Sequence, residues 1–123
     1  MENTVGYTGS NCYKAPITTG SAAGPTYSIT LPSFDISGMG ASTPRFTFYS
    51  SYAQPNATVS ETMRVYVSTD CGASFKQLLE RSGAALAYNG QAYTNNFKPT
   101  KASNWRLSGI TSLSSIDRKS TRL

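Results

Sequence analysis

Two stretches of the chain alternate between apolar and polar positions, the pattern of a β-strand with one buried and one exposed face. In residues 63–68 the alternation separates an apolar set from a more polar set: Met63, Val65 and Val67 against Arg64, Tyr66 and Ser68. In residues 45–53 the same alternation separates Phe46, Phe48, Ser50 and Tyr52 from Arg45, Thr47 and Tyr49. The connection between these stretches, QPNATVSE, is short and rich in turn residues. We therefore expect the two strands to pair with each other in antiparallel orientation.

Weaker patterns predict further strands on both sides of this pair. Residues 26–31, TYSITL, alternate well enough for a strand that Pro32 interrupts at an edge or bend. After the central stretch, residues 76–82, KQLLERS, fit either one helical turn or a strand. Gly83 follows too soon for a stable helix, so we expect a strand that forms a hairpin with residues 63–68. A last strand over NWRLSGITSL has Trp105 and Leu107 on one side.

A tight turn follows the strand at residues 63–68. Its residues Ser68, Asp70, Gly72, Ser74 and Phe75 have the spacing S-x-D-x-G-x-S/T-aromatic, which resembles the Asp-box turn best known from sialidase propellers. An aspartate can accept hydrogen bonds from nearby backbone N–H groups, and glycine adopts a positive φ without steric cost. We expect Asp70 to stabilise the turn and Phe75 to fold back onto the core. The motif occurs once and no long repeat is present, which argues against a propeller.

Size and composition indicate one all-β domain. The chain has 123 residues, of which 38% are hydrophobic, 11% aromatic and 14% charged, enough for one modest core. Small polar residues and tyrosine are abundant, as in turn-rich extracellular β proteins. No apolar run is long enough to span a membrane. We predict one antiparallel β module over residues 1–116, in which residues 1–25 form a loop-rich segment rich in glycine.

The formal charge of +5 does not by itself indicate a nucleic-acid partner. Part of it comes from residues 117–123, DRKSTRL, a peptide that resembles the translation of a sequencing adapter. We therefore expect this tail to be an artefact outside the fold. The other Lys and Arg residues are scattered and form no cluster that would follow a phosphate backbone. The distribution predicts no nucleic-acid binding.

The sequence contains no histidine, which removes the usual catalytic bases and metal ligands together. Acid–base chemistry would require a facing pair drawn from the carboxylates Asp35, Glu61, Asp70 and Glu80. Each of them stands beside a strand end or a turn, where a solvated role is sufficient. No stretch collects the several oxygen ligands that calcium prefers, although Asp35 or Glu61 can contribute one. We predict a non-catalytic chain with no cofactor and with no catalytic or metal-binding residues.

The only cysteines are Cys12 and Cys71. They are not arranged as a C-x-x-C motif and no histidine accompanies them, so a zinc site would lack ligands. In an oxidising compartment a disulfide between them would close a long loop and hold the N-terminal segment against the turn, worth about 4 kcal/mol. The alternative is two free thiols. The secreted type of composition favours the disulfide.

The residues favour ligand binding over catalysis. Tyr49 and Tyr66 lie on the polar faces of two strands expected to pair, with Arg45 and Arg64 beside them. An aromatic ring can stack on a pyranose while a charged group orients its hydroxyls. The same tyrosines can equally pack under a loop or stabilise a sheet as a cross-strand pair. The sequon Asn56-Ala57-Thr58 is a short pattern that often arises by chance, so we predict only a surface turn there.

Four segments together carry a family resemblance, TYSITLPSFDIS, PRFTFYSSYA, MRVYVSTDCGASFKQLLERSGAALA and FKPTKASNWRL. They resemble the jelly-roll β-sandwich module, of the MAM-like and cleaved-adhesin group, found in bacterial proteins exported by the type IX secretion system. The resemblance implies an extracellular or cell-surface, non-catalytic module of a larger protein. Its implied role is adhesion or glycan binding, and its implied partners are other domains of the same chain and a glycan or protein surface.

The resemblance also implies that the chain is a fragment. Modules of this group continue beyond the Trp-Arg strand into strands that close the sandwich, and here the adapter-like tail takes their place. The start of the chain lacks the features of a secretion signal, which fits either a cytosolic protein or an internal Met1; the resemblance favours the second. Two alternatives to an adhesive module stay open: a catalytic sandwich of glycoside-hydrolase or lyase type, and a purely structural spacer.

Overall fold

The structure, a computed structural model, describes residues 6–16, 24–39, 44–90, 92–110 and 113. Its strands in this part of the chain are β1 (Phe46–Ser50), β2 (Thr62–Val67), β3 (Lys76–Ser82) and β4 (Arg106–Ile110). One short helical turn, α1 (Gly83–Leu86), follows β3, and 3-10 turns occupy Ser37–Met39 and Ala102–Asn104. The described chain is β-rich, as composition predicts, and its strands form two antiparallel sheets of two strands each.

Strands β2 and β3 form the hairpin that the sequence predicts. Their register changes once, because Val65 lies opposite Leu79 whereas Tyr66 lies opposite Gln77. Leu78 is thus the extra residue of a β-bulge. Both leucines are partly buried and pack against the cluster formed by Val67 and Leu113. The bulge lets two successive leucines contribute to the same apolar face.

The predicted pairing of residues 45–53 with residues 63–68 is wrong. Strand β1 instead pairs with β4, the last described strand, in antiparallel orientation with Phe46 opposite Ile110 and Ser50 opposite Arg106. The alternation within β1 is as predicted, since the side chains of Phe46 and Phe48 are less exposed than those of Thr47 and Tyr49. The local pattern therefore identified the strand and its faces but not its neighbour.

The connection from β1 to β2 explains this pairing. Tyr52, Ala53 and Gln54 are buried, so the chain leaves β1 into the interior instead of turning back as a tight hairpin. There the carbonyl of Tyr52 accepts a hydrogen bond from the N–H of Tyr88 at 2.8 Å, and the carbonyl of Gln54 accepts one from Thr94 at 3.0 Å. Because this segment is held by distant backbone, β1 and β2 diverge into separate sheets.

The predicted strand at residues 26–31 is also wrong. This segment has no assigned strand, and residues 24–30 are exposed. Only Leu31 reaches the core, where it packs against the cluster of Val67 and Leu113. An extended segment becomes a strand only when its backbone finds a partner edge, and Pro32 removes one donor directly after it.

A polar contact joins the two sheets. Arg81 of β3 donates a hydrogen bond from Nη1 to Ser108 Oγ of β4 at 3.0 Å. Ser108 is fully buried, and its hydroxyl also lies 3.3 Å from the hydroxyl of Ser50 in β1. A second link runs from Arg106 of β4, whose Nη1 donates to the carbonyl of Ala85 in α1 at 2.7 Å. Arginine side chains thus connect the sheets to each other and to the helical turn.

Within the described residues, no helix is long and apolar enough to cross a membrane.

Candidate ligand-binding face

One face of the β1–β4 sheet is turned to solvent and carries large apolar side chains. Tyr49 of β1 lies directly opposite Leu107 of β4 in the register. Tyr49 is 40% exposed, Leu107 56% and the neighbouring Tyr7 37%. We call Tyr7, Tyr49 and Leu107 the outer aromatic face. The sequence predicted only that Leu107 lies on the same side of the last strand as Trp105. The pairing of this strand with β1 places Leu107 on the exposed face.

The two tyrosines of this face form a stacked pair. Their ring centroids are 3.5 Å apart and their planes differ by 13°, so Tyr7 covers one side of the Tyr49 ring. A hydrogen bond with the Tyr7 side chain raises the pKa of Tyr49 above its usual value, and partial burial and the charge of Tyr7 act in the same direction. Tyr49 therefore remains a neutral phenol, and its hydroxyl and that of Tyr7 supply a polar group beside the apolar surface.

A glycine leaves the surface beside the Tyr7–Tyr49 pair without a projecting side chain. Gly109 of β4 lies opposite Thr47, and a Cβ built on Gly109 would come within 3.1 Å of Thr47 Cγ2. Such a contact is tighter than ordinary van der Waals packing, so a larger residue would displace Thr47 or bend the strand. The consequence is a flat region next to Leu107 rather than a further side chain.

The four predicted ligand-binding residues are divided between the two sheets. Arg45 directly precedes β1 and Tyr49 lies within it, whereas Arg64 and Tyr66 lie on β2 in the other sheet. Arg64 is also engaged, because its Nε donates to Glu80 Oε2 at 2.7 Å across the β2–β3 hairpin. That hydrogen bond, together with the charge of Glu80, raises the pKa of Arg64. The sequence placed Arg64 and Tyr66 beside Tyr49 only through the incorrect strand pairing.

Tyr7 was missed by the sequence reasoning. It lies in the loop-rich N-terminal segment, far along the chain from Tyr49, and no alternation or motif marks it. A contact between distant loop and strand residues leaves no periodic signal in the sequence. The sequence predicted that Leu107 lies on one face of the last strand. Because the pairing of that strand with β1 was not predicted, nothing indicated that Leu107 lies beside Tyr49.

The turn after β2 has the internal hydrogen bonds that its motif predicts. Ser68 Oγ donates to Asp70 Oδ1 at 2.7 Å and accepts a bond from the N–H of Gly72 at 2.8 Å. Both the hydroxyl and the N–H of Ser74 donate to the Asp70 carboxylate. Gly72 has the expected positive φ of 94°. Asp70 is thus committed to the turn.

One expectation about this turn is wrong. Phe75 does not fold back onto the core, because 54% of its surface is exposed. The turn is held by the hydrogen bonds of Ser68, Asp70 and Ser74, which do not involve the ring. With those polar contacts sufficient, the aromatic side chain immediately before β3 is left on the surface.

The predicted disulfide is not formed in the structure. Cys12 and Cys71 are both free cysteines, the first half-buried and the second exposed. Cys71 occupies a left-handed position of the turn, with φ of 58°. Cys12 lies in the N-terminal segment.

The acidic side chains are not gathered into a metal site in the part of the chain that the structure describes, where no group of three or more His, Cys, Asp or Glu residues could hold an ion. Asp70 is bound by the turn and Glu80 by Arg64. The outer aromatic face is left as the candidate site. Comparisons of the chain with known protein families, curated proteins and solved structures found no match.

Proposed function

We propose that this chain is a non-catalytic accessory module of a larger secreted or cell-surface protein, and that its outer aromatic face binds carbohydrate. We also propose that the two antiparallel sheets belong to a jelly-roll-like β-sandwich. The observation that carries the binding proposal is the exposed Tyr7–Tyr49 stack with Leu107 directly across the strand pair. A contiguous exposed apolar patch of this kind is typical of an interaction site.

The chemistry of the face suits a sugar ring. The C–H groups of a pyranose can pack on the Tyr49 ring edge, the outer Tyr7 ring face and the Leu107 side chain. Its hydroxyls require hydrogen-bonding groups at the rim, and the paired phenols supply them. Arg45, exposed directly before β1, adds a charged donor. No acid–base pair stands beside these residues on β1 or β4, so the proposal is binding without turnover.

The direct test is a screen of the purified chain on an array of polysaccharides and oligosaccharides, followed by calorimetry on the strongest ligand. We expect Tyr49→Ala to weaken that binding about tenfold, equivalent to about 1.4 kcal/mol. Tyr93→Ala is the matched control, since Tyr93 is an exposed tyrosine outside the face. It should bind as the wild type does.

One further variant, Leu107→Thr, separates a binding role of the face from a structural role. The Tyr7–Tyr49 stack also has a purely structural interpretation, in which it fastens the N-terminal segment to β1 as in a spacer module. Leu107→Thr leaves the stack intact and removes exposed apolar surface, so it should weaken binding with little change in the melting temperature. If the array is silent, or if Tyr49→Ala and Leu107→Thr bind normally, the structural interpretation replaces the binding proposal.

A further inference from the structure

The connection between β1 and β2 contains an exposed turn with its own hydrogen-bonding arrangement. Asn56, Ala57 and Thr58 are all exposed, as predicted for a surface turn. The base of this turn is fastened from inside, because Gln54 is buried and its Nε2 donates to the carbonyl of Val59 at 2.8 Å. The turn is thus attached at its base by this hydrogen bond while its tip stands in solvent.

At the tip, Asn56 uses only one end of its amide. Its Oδ1 accepts three hydrogen bonds: from the N–H of Thr58 at 2.9 Å, from the Thr58 hydroxyl at 2.7 Å and from the N–H of Val59 at 3.0 Å. Within the described residues its Nδ2 makes no hydrogen bond. The nitrogen is therefore available on an exposed residue, while the oxygen is held by the hydroxyl two residues later.

We propose that Asn56 is an acceptor site for asparagine-linked glycosylation. The residues Asn56-Ala57-Thr58 satisfy the spacing that the modification requires, with a residue other than proline in the middle. The geometry adds a chemical reason. When Nδ2 gives up a proton, negative charge develops on Oδ1, and a hydrogen bond to the charged form favours it. The Thr58 hydroxyl and the two N–H groups are already placed to supply such bonds.

The reaction requires an oligosaccharide carried on a lipid diphosphate and a membrane transferase on the exported side. Nδ2 forms a bond to the anomeric carbon of the sugar. The bond from that carbon to the diphosphate oxygen breaks, and the lipid diphosphate leaves with the electron pair. The proton of Nδ2 passes to a base of the transferase. The products are a glycosylated Asn56 and a free lipid diphosphate, with no change in oxidation state.

The site is independent of the outer aromatic face, and its test uses the whole chain. The chain is expressed behind a cleavable secretion signal in a yeast that glycosylates asparagine, and the intact mass is measured before and after enzymatic removal of N-glycans. We expect most of the secreted wild type to carry a glycan. Asn56→Asp keeps the Oδ1 acceptor and hence the turn but has no Nδ2, so it should be secreted at the bare mass.

The hydroxyl is tested with a matched pair. Thr58→Ser keeps the hydroxyl and should be modified, whereas Thr58→Val has nearly the same shape without the hydroxyl and should not. Equal melting temperatures for wild type and Asn56→Asp would show that the turn itself is intact. A secreted wild type of bare mass, in cells whose own glycoproteins are modified normally, would overturn the proposal. A glycan that persists in Asn56→Asp would overturn it as well.

Discussion

Asp70 is the side chain on which the turn between β2 and β3 most depends. The Ser74 hydroxyl lowers its pKa most, followed by the Ser68 hydroxyl and the Ser74 N–H, from the usual 3.8 to about 2. These donors stabilise the carboxylate and not the neutral acid. Because the pKa is lower in the folded state, the stabilisation is fully present above about pH 4 and is lost as the pH falls towards 2.

The prediction is a difference in acid sensitivity between the wild type and Asp70→Asn. Urea unfolding at a series of pH values should show that the wild-type advantage over Asp70→Asn shrinks as the pH falls from about 4 to 2. Ser74→Ala provides the control, because it removes the first of the donors and should move the Asp70 pKa upward in an NMR titration. A constant difference between wild type and Asp70→Asn down to pH 2 would contradict the assignment.

A second prediction at the residue scale concerns Gly83. It is buried with φ of 50°, and a Cβ there would lie 3.0 Å from Ser60 Oγ. A left-handed conformation costs an L-residue about 1–2 kcal/mol, and the contact adds to that. We expect Gly83→Ala to lower the free energy of unfolding by at least this amount in urea titration. Gly38→Ala, where nothing lies within 4 Å of the added Cβ, should change it by less than about 0.5 kcal/mol.

At the scale of secondary-structure elements, the contact between the two sheets depends on a buried polar group, the Ser108 hydroxyl. Ser108 accepts a hydrogen bond from the Arg81 guanidinium and lies beside the Ser50 hydroxyl. A hydrogen bond to a charged group contributes about 1.5–3 kcal/mol, so Ser108→Ala should lower the free energy of unfolding by about that amount. Ser50→Ala leaves the Arg81 bond in place and should cost less. Denaturant unfolding of both variants and of the double variant measures the coupling.

The outcome that would count against this link is equally specific. If Ser108→Ala costs no more than Ser50→Ala, then the Arg81 hydrogen bond to Ser108 adds nothing measurable to the contact between the sheets. In that case the apolar clusters around Val67 and Tyr52 carry most of the contact between the sheets.

At the scale of the whole molecule, the described residues leave much apolar surface uncovered. Ile29 is 53% exposed and lies in the segment of residues 26–31, which has no assigned strand. Further large exposed side chains nearby in sequence are Tyr27, Phe34 and Met39. The described strands also form only two-stranded sheets, whose unpaired edges can pair with other chains.

We therefore expect the isolated chain to self-associate. Sedimentation velocity over a range of concentrations should show species larger than a monomer, increasing with concentration. Ile29→Thr removes exposed apolar surface without touching the core and should shift the distribution towards the monomer. A wild type that stays monomeric at the highest concentration reached, and that melts cooperatively, would contradict the expectation.

The predictions that are confirmed concern residues close together in sequence, whereas those that are wrong concern contacts between residues far apart in sequence. The strand faces of β1 and β2 and the hydrogen bonds around Asp70 follow from residues close in sequence. So does the turn at Asn56. The pairing of β1 with β4 joins residues on opposite sides of the whole hairpin, and residues 26–31 have a strand pattern without a partner. Alternation reports which face of a segment is apolar, but not which backbone edge lies beside it.

The sequence by itself determined that this is a β-rich chain, where its central hairpin runs and how the turn after β2 is closed. Short-range sterics and hydrogen bonds between near neighbours are sufficient for those features. Only the tertiary structure decided that the buried segment after β1 sends β2 into a second sheet, that Ser108 becomes the buried acceptor between the sheets, and that Tyr7 stacks on Tyr49. Each of these contacts depends on which distant groups compete for one edge or one surface, and that competition is resolved only when the whole chain packs.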